Sequence, residues 1–138
     1  MSATYDSLLS GSTSPGLFSW RGRPDRDLAE AASAAGWLAL SLDTTTVVSV
    51  DEFWDEIVAT WSLPDWFGRN LDALFDTLAD LAVGRTIVIW KGLVQLADVD
   101  PVLTGAVVDV FRDAIGQASS LAVVVAGDLG VSGFDGLL

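Results

Sequence analysis

Three short apolar runs constrain this chain more than anything else in it: Trp37–Leu42 (WLALSL), Thr86–Trp90 (TIVIW) and Leu121–Ala126 (LAVVVA). Uncharged runs of this length, with β-branched residues in two of them, read as strands buried on both faces. Such strands belong to parallel sheets covered by helices, with right-handed crossovers between them. The intervening residues agree. Phe53, Trp54, Ile57, Val58 and Trp61 recur at helical spacing, and so do Leu71, Leu74, Phe75 and Leu78. Val102, Leu103, Val107, Val110 and Phe111 form a further stripe. The expected fold is α/β, a three-stranded parallel sheet packed with helices. Its order is helix, strand, helix, helix, strand, helix, strand.

Punctuation places the boundaries. Pro24 and Asp25 suit a helix start, and Gly36 the position just past its end. Asp51 is a candidate N-cap, the Leu63-Pro64 pair closes the next helix, and Asn70 is a second candidate N-cap. Residues 93–100 read as a connector, and Pro101 as the first turn of a long helix. Residues 1–16, rich in Ser, Thr and Gly, read as a tail; Leu17–Trp20 is either a short strand or an aromatic hook. The expected division is an N-terminal extension over 1–36 (a tail plus one short helix), a domain over 37–126, and a flexible glycine-rich tail over 127–138.

Composition narrows the function. The 138 residues form one domain's worth of chain, and 51% of them are apolar, enough for a core. A net charge of −12 argues against direct binding to nucleic acid or to an anionic membrane, and favours a basic partner. Self-association through so acidic a surface is disfavoured, so a free monomer is expected. There is no cysteine and no histidine, which removes the thiolate nucleophile, the commonest general base and the commonest transition-metal ligands. No cofactor or metal is expected. No leader-like segment and no apolar run long enough for a bilayer is visible, so a cytoplasmic protein is expected. Arg21, Arg23 and Arg26 supply three of the seven positive charges. They read as an exposed loop that balances nearby carboxylates rather than as a phosphate site.

The most informative stretch for function is LPDWFGRNLDALFDTLAD, Leu63 to Asp80. Pro64 and Gly68 bracket Trp66 and Phe67 in a turn, which leads straight into the helix that Asn70 caps. On that helix Asp72, Asp76 and Asp80 recur four residues apart, so their side chains are neighbours. Like charges at that spacing weaken an isolated helix by about 0.2–0.5 kcal/mol per pair. A solvated acidic face is one reading of the row. A binding surface for a basic partner is the other, favoured by the aromatic loop beside it. Trp54, Trp61 and Trp90 fit a core, whereas Trp66 is the aromatic least easily placed there.

These residues carry a family resemblance. LPDWFGRNLDALFDTL, followed by TIVIW, VVDVFRDA and a final LAVVVA strand, resembles the barstar family, inhibitors of the bacterial ribonuclease barnase. The resemblance spans about Trp37 to Ala126 and rests most firmly on Gly68 to Asp76. It implies a helix and its preceding loop that plug a ribonuclease active site, with carboxylates in place of substrate phosphates. By position, Asp76 falls on the family's central phosphate-mimicking aspartate and Asp72 on the aspartate one turn earlier. Trp66 falls on the loop aromatic, Gly68 and Asn70 on the loop that shapes the contact, and Asp113 on an acidic position of the later helix. Asp80 extends the row where the family carries glycine. Arg69 stands where it carries an acidic residue, and Leu81 where it carries tryptophan.

The expected function is therefore inhibition of a basic ribonuclease, of the barnase or toxin type, with no catalysis by the chain itself. The alternative is a barstar-fold interaction module for a partner that is not a ribonuclease. An enzyme using Asp72 and Asp76 as a carboxylate pair ranks behind both, because an exposed convex helix offers no cleft.

Overall fold

The computed structural model of the chain describes residues 3–23, 26–126 and 133–138. Among the described residues there are six helices and five strands. They are α1 (Tyr5–Ser10), β1 (Leu17–Trp20), α2 (Leu28–Ala34), β2 (Leu38–Asp43), α3 (Val50–Thr60) and α4 (Leu71–Leu81), then β3 (Thr86–Lys91), α5 (Leu93–Val99), α6 (Pro101–Gln117), β4 (Leu121–Ala126) and β5 (Asp135–Leu137). The sheet has five parallel strands in the order β2-β3-β4-β1-β5. The three expected strands sit side by side as β2, β3 and β4. β1 then pairs with β4, Leu17 opposite Val123, and β5 pairs with β1, Phe18 opposite Asp135.

The expected count of three strands is thus corrected to five. Leu17–Trp20 is a strand, and the Asp135–Leu137 segment of the glycine-rich end is the sheet's last strand. Residues 127–132 of that end, and the Pro24-Asp25 helix start, lie outside the described residues. The stretch read as a tail holds α1, whose N-cap Thr4 exchanges side-chain and backbone hydrogen bonds with Ser7. The connector 93–100 contains α5, and α3 is capped by Ser49, whose hydroxyl accepts from the Glu52 amide, rather than by Asp51.

Period-two alternation divides the core between the two faces of the sheet. Val88, Trp90, Val123 and Val125 point to one face and pack with α3, α4, α5 and α6. Ile87, Ile89, Ala122 and Val124 point to the other, where Tyr5, Leu8 and Leu9 of α1 and Leu28 and Ala32 of α2 cover them. Phe18 and Trp20 of β1 join this second layer. The expected extension therefore supplies the helices that cover one face of the sheet, and the architecture is helix, sheet, helix. Trp54, Trp61 and Trp90 are core residues as expected, and the indoles of Trp61 and Trp90 donate to Ser41 O and Thr44 Oγ1.

Candidate functional site: an acidic helix and its aromatic loop

The site is built on the connection from α3 to α4. After α3 the Leu63 amide donates to Val58 O at 3.0 Å, a closure made possible by Ser62 in the left-handed region at φ 53°. Pro64 to Phe67 then form a turn, with the Phe67 amide donating to Pro64 O at 3.0 Å. The turn sends two adjacent aromatics in opposite directions. Phe67 is buried against Trp54, ring centroids 6.0 Å apart, while Trp66 is 85% exposed. Burying the first anchors the loop; exposing the second leaves a large apolar surface in water.

Asn70 joins loop to helix. Its Oδ1 accepts from the Ala73 amide at 2.8 Å and its Nδ2 donates to Gly68 O at 2.9 Å, so one side chain caps α4 and braces the preceding backbone. Gly68 makes that brace fit: a Cβ there would stand 3.1 Å from Asn70 Nδ2 and 3.3 Å from Ala73 Cβ. Arg69, between them, is left-handed at φ 47°, unusual for a residue with a Cβ. Its Nη1 donates to Asp55 Oδ1 of α3 at 2.7 Å, an ion pair with both side chains exposed. Sequence reasoning missed Asp55. The contact depends on the left-handed turn at Arg69, which no local pattern announces.

Along α4, Leu74 and Leu78 are fully buried while Asp72, Asp76 and Asp80 are exposed. Steps of four residues advance each side chain by about 40° around the axis and about 6 Å along it. The three carboxylates therefore form a slanted row about 12 Å long rather than a straight file. Among the described residues, no ion pair includes any of them. Asp113 is likewise exposed, on α6, the helix that packs beside α4; Asp109 on the same helix pairs with Arg112 at 3.3 Å. The structure thus gathers Trp66, Gly68, Asn70, Asp72, Asp76 and Asp80 on one continuous loop-helix unit and sets Asp113 on the neighbouring helix.

Beside the N-terminus of α4 lies an open groove of about 480 Å³. Val50, Leu71 and Leu103 give it apolar lining, and Arg69 and Asp72 put opposite charges on it. Among the described residues, no group of three or more Asp, Glu, His or Cys is arranged to hold a metal ion, and no helix is long and apolar enough to cross a membrane.

The loop-helix unit thus sets an exposed indole beside a row of exposed carboxylates. The fold that presents it is that of a known family. The family model described as Barstar (barnase inhibitor) matches residues 37–126, well over half of the chain, and the protein belongs to the barstar family. Among curated proteins, none matches the chain. The matched span contains every residue of the loop-helix unit and Asp113.

Proposed function

We propose that this protein inhibits a basic ribonuclease by inserting α4 and its preceding loop into the enzyme's active site. The observation that carries this reading is the pairing of Trp66, 85% exposed, with the exposed carboxylates of Asp72, Asp76 and Asp80, which no ion pair among the described residues includes. A ribonuclease holds its substrate phosphates with cationic side chains. Carboxylates presented at those positions accept charge-assisted hydrogen bonds from the same groups. The enzyme's cations then gain partners without offering the inhibitor a bond to cleave. Asp76, at the middle of the row, takes the central phosphate position, with Asp72 and Asp80 one turn to either side. Asp113 adds a carboxylate from α6, and Trp66 supplies apolar area at the edge.

The rest of the molecule fits this role. A charge of −12 accelerates encounter with a cationic enzyme and disfavours self-association, so the free inhibitor is a monomer. The backbone of the site is fixed before binding, by Asn70 at the cap and Phe67 in the core, which lowers the ordering cost of association. The inhibitor performs no catalysis, requires no cofactor, and acts in the cytoplasm. Residues 37–126 form the binding unit, and the segments around it complete the fold.

The test is capture on the immobilised chain from a lysate of the source cell, beside an Asp76→Ala column. The expected result is a small basic protein held by the wild type and lost by the variant, whose RNA cleavage the purified chain blocks. Loss of Asp76 weakens the complex by about 2 kcal/mol or more, roughly thirtyfold, as for a central hot spot. Equal capture by the variant, or a captured protein without nuclease activity, overturns the reading in favour of a non-ribonuclease partner.

A further inference from the structure

We infer that Arg69 is a selectivity residue: the ribonuclease that this chain blocks presents a carboxylate opposite Arg69, next to the basic groups that receive Asp72. The inference rests on the inhibitor reading and deepens it by specifying the partner's rim. Arg69 belongs to the contact face because it lines the same groove as Asp72, together with Leu71 and Leu103. It is a cation set among acids, with Asp65 in the turn before it, Asp72 in the helix after it and Asp55 across from it on α3.

The pair with Asp55 does not consume the guanidinium. One hydrogen bond runs from Nη1 to Asp55 Oδ1, and the Arg69 side chain remains 47% exposed. A guanidinium has five N–H donors in a planar fork, so a second carboxylate has donors to engage. The left-handed backbone at φ 47° and the tie to α3 already hold the group in place, so little side-chain freedom remains to be lost on binding. Without an acidic counterpart, this arrangement penalises association. A nuclease channel that tracks a polyanion is cationic beyond a single phosphate site. A fixed cation pressed against it meets like charge, and like-charge juxtaposition is how interfaces reject wrong partners. Arg69 therefore admits enzymes with an acidic group at this point of the rim and disfavours those that are basic there.

Barnase supplies the test, because inhibitors of this family act on it. Inhibition of barnase by the wild type, Arg69→Glu and Arg23→Glu is measured by RNA cleavage at low and moderate salt. Arg23 is exposed, lies outside the matched span, and gives the same change in net charge. Arg69→Glu is expected to tighten inhibition at least tenfold more than Arg23→Glu does, with most of the difference retained at moderate salt. Asp55→Asn, which frees Arg69 without altering its charge, is expected to leave inhibition of barnase within about threefold of the wild type. Equal gains from the two charge reversals, or no gain from Arg69→Glu, overturn the inference while leaving the inhibitor reading intact. Failure of both the wild type and Arg69→Glu to inhibit barnase likewise overturns the inference about Arg69, whereas the inhibitor reading falls only if the protein captured by the chain has no nuclease activity or is held equally by Asp76→Ala.

Discussion

Trp66 and Phe67 are adjacent in sequence and opposite in environment: Phe67 is 8% exposed and packs on Trp54, whereas Trp66 is 85% exposed. The contrast assigns Phe67 to the fold and, on the proposed function, leaves Trp66 for the partner, and the two roles should separate on mutation. Phe67→Ala opens a cavity against Trp54 and is expected to cost about 3–5 kcal/mol of stability, as large-to-small aromatic changes do. Trp66→Ala is expected to move stability by less than about 0.5 kcal/mol, the usual range for an exposed site. Urea unfolding of both variants, with capture of the partner measured in parallel, checks the assignment. Loss of binding without loss of stability should belong to Trp66→Ala alone.

Asn70 predicts a coupled effect. Its side chain caps α4 through the Ala73 amide and holds Gly68 O, so Asn70→Ala leaves both groups to water. The expected cost is about 1 kcal/mol, typical of a lost N-cap. Asn70→Asp restores the acceptor to Ala73 but not the donor to Gly68. It should recover most of the stability while leaving the loop less well fixed. Denaturation midpoints for the two variants, compared with their affinities for the partner, distinguish cap from brace.

The acidic row on α4 was more legible in the sequence than the whole fold. The four-residue spacing of Asp72, Asp76 and Asp80 is a local pattern, and a helix converts it directly into a surface row. The strands β3 and β4 were legible because burial on both faces removes polar residues from them, whereas β2, at the sheet's edge, is buried only at Leu40 and Leu42 and departs from the expected two-sided burial. Leu17–Trp20 is only four residues long and contains Ser19, and its neighbours in the sheet, β4 and β5, lie more than 100 residues further along the chain. Nothing local specifies such a pairing. α5 was hidden because it begins at Gly92, left-handed at φ 84° and without a side-chain cap, and stops at Asp100, which at once caps α6. The Arg69–Asp55 pair was illegible for a related reason: it depends on one backbone angle.

Because α1, β1 and α2 cover Ile87, Ile89, Ala122 and Val124, the N-terminal residues are structural, not accessory. Removal of residues 1–20 would strip β1 from the edge of β4 and uncover a continuous apolar sheet face. Such a face, beside an unpaired strand edge, promotes aggregation. The truncated chain is expected to be insoluble or aggregated under conditions where the full chain is monomeric. Phe18→Ala, a milder lesion in the same layer, should remain soluble and lose about 3–5 kcal/mol. Size-exclusion chromatography of the truncation and urea unfolding of the point variant measure the two effects.

Tyr5 gives this N-terminal layer a signature in alkali. Its ring is fully buried, its hydroxyl donates to Leu28 O at 2.6 Å, and Arg26 stands over its ring at 5.1 Å to the centroid. Burial pushes the phenol well above its ordinary range, more than the nearby Arg26 charge lowers it, so the folded state favours the neutral form. In the unfolded chain the phenol ionises near its ordinary value, about pH 10. A group whose pKa is raised on folding contributes stability that is complete below the unfolded value and is lost as pH climbs toward the folded one. The protein should therefore lose stability progressively above about pH 10. Tyr5→Phe deletes the titrating group and the bond to Leu28. It is expected to cost about 1–3 kcal/mol at neutral pH, because the Leu28 carbonyl is left without its partner. Above about pH 10 the gap between variant and wild type should narrow, since only the wild type carries this phenol. Urea midpoints of both proteins across the alkaline range read the difference. A gap that stays constant would show that Tyr5 does not titrate between the two states.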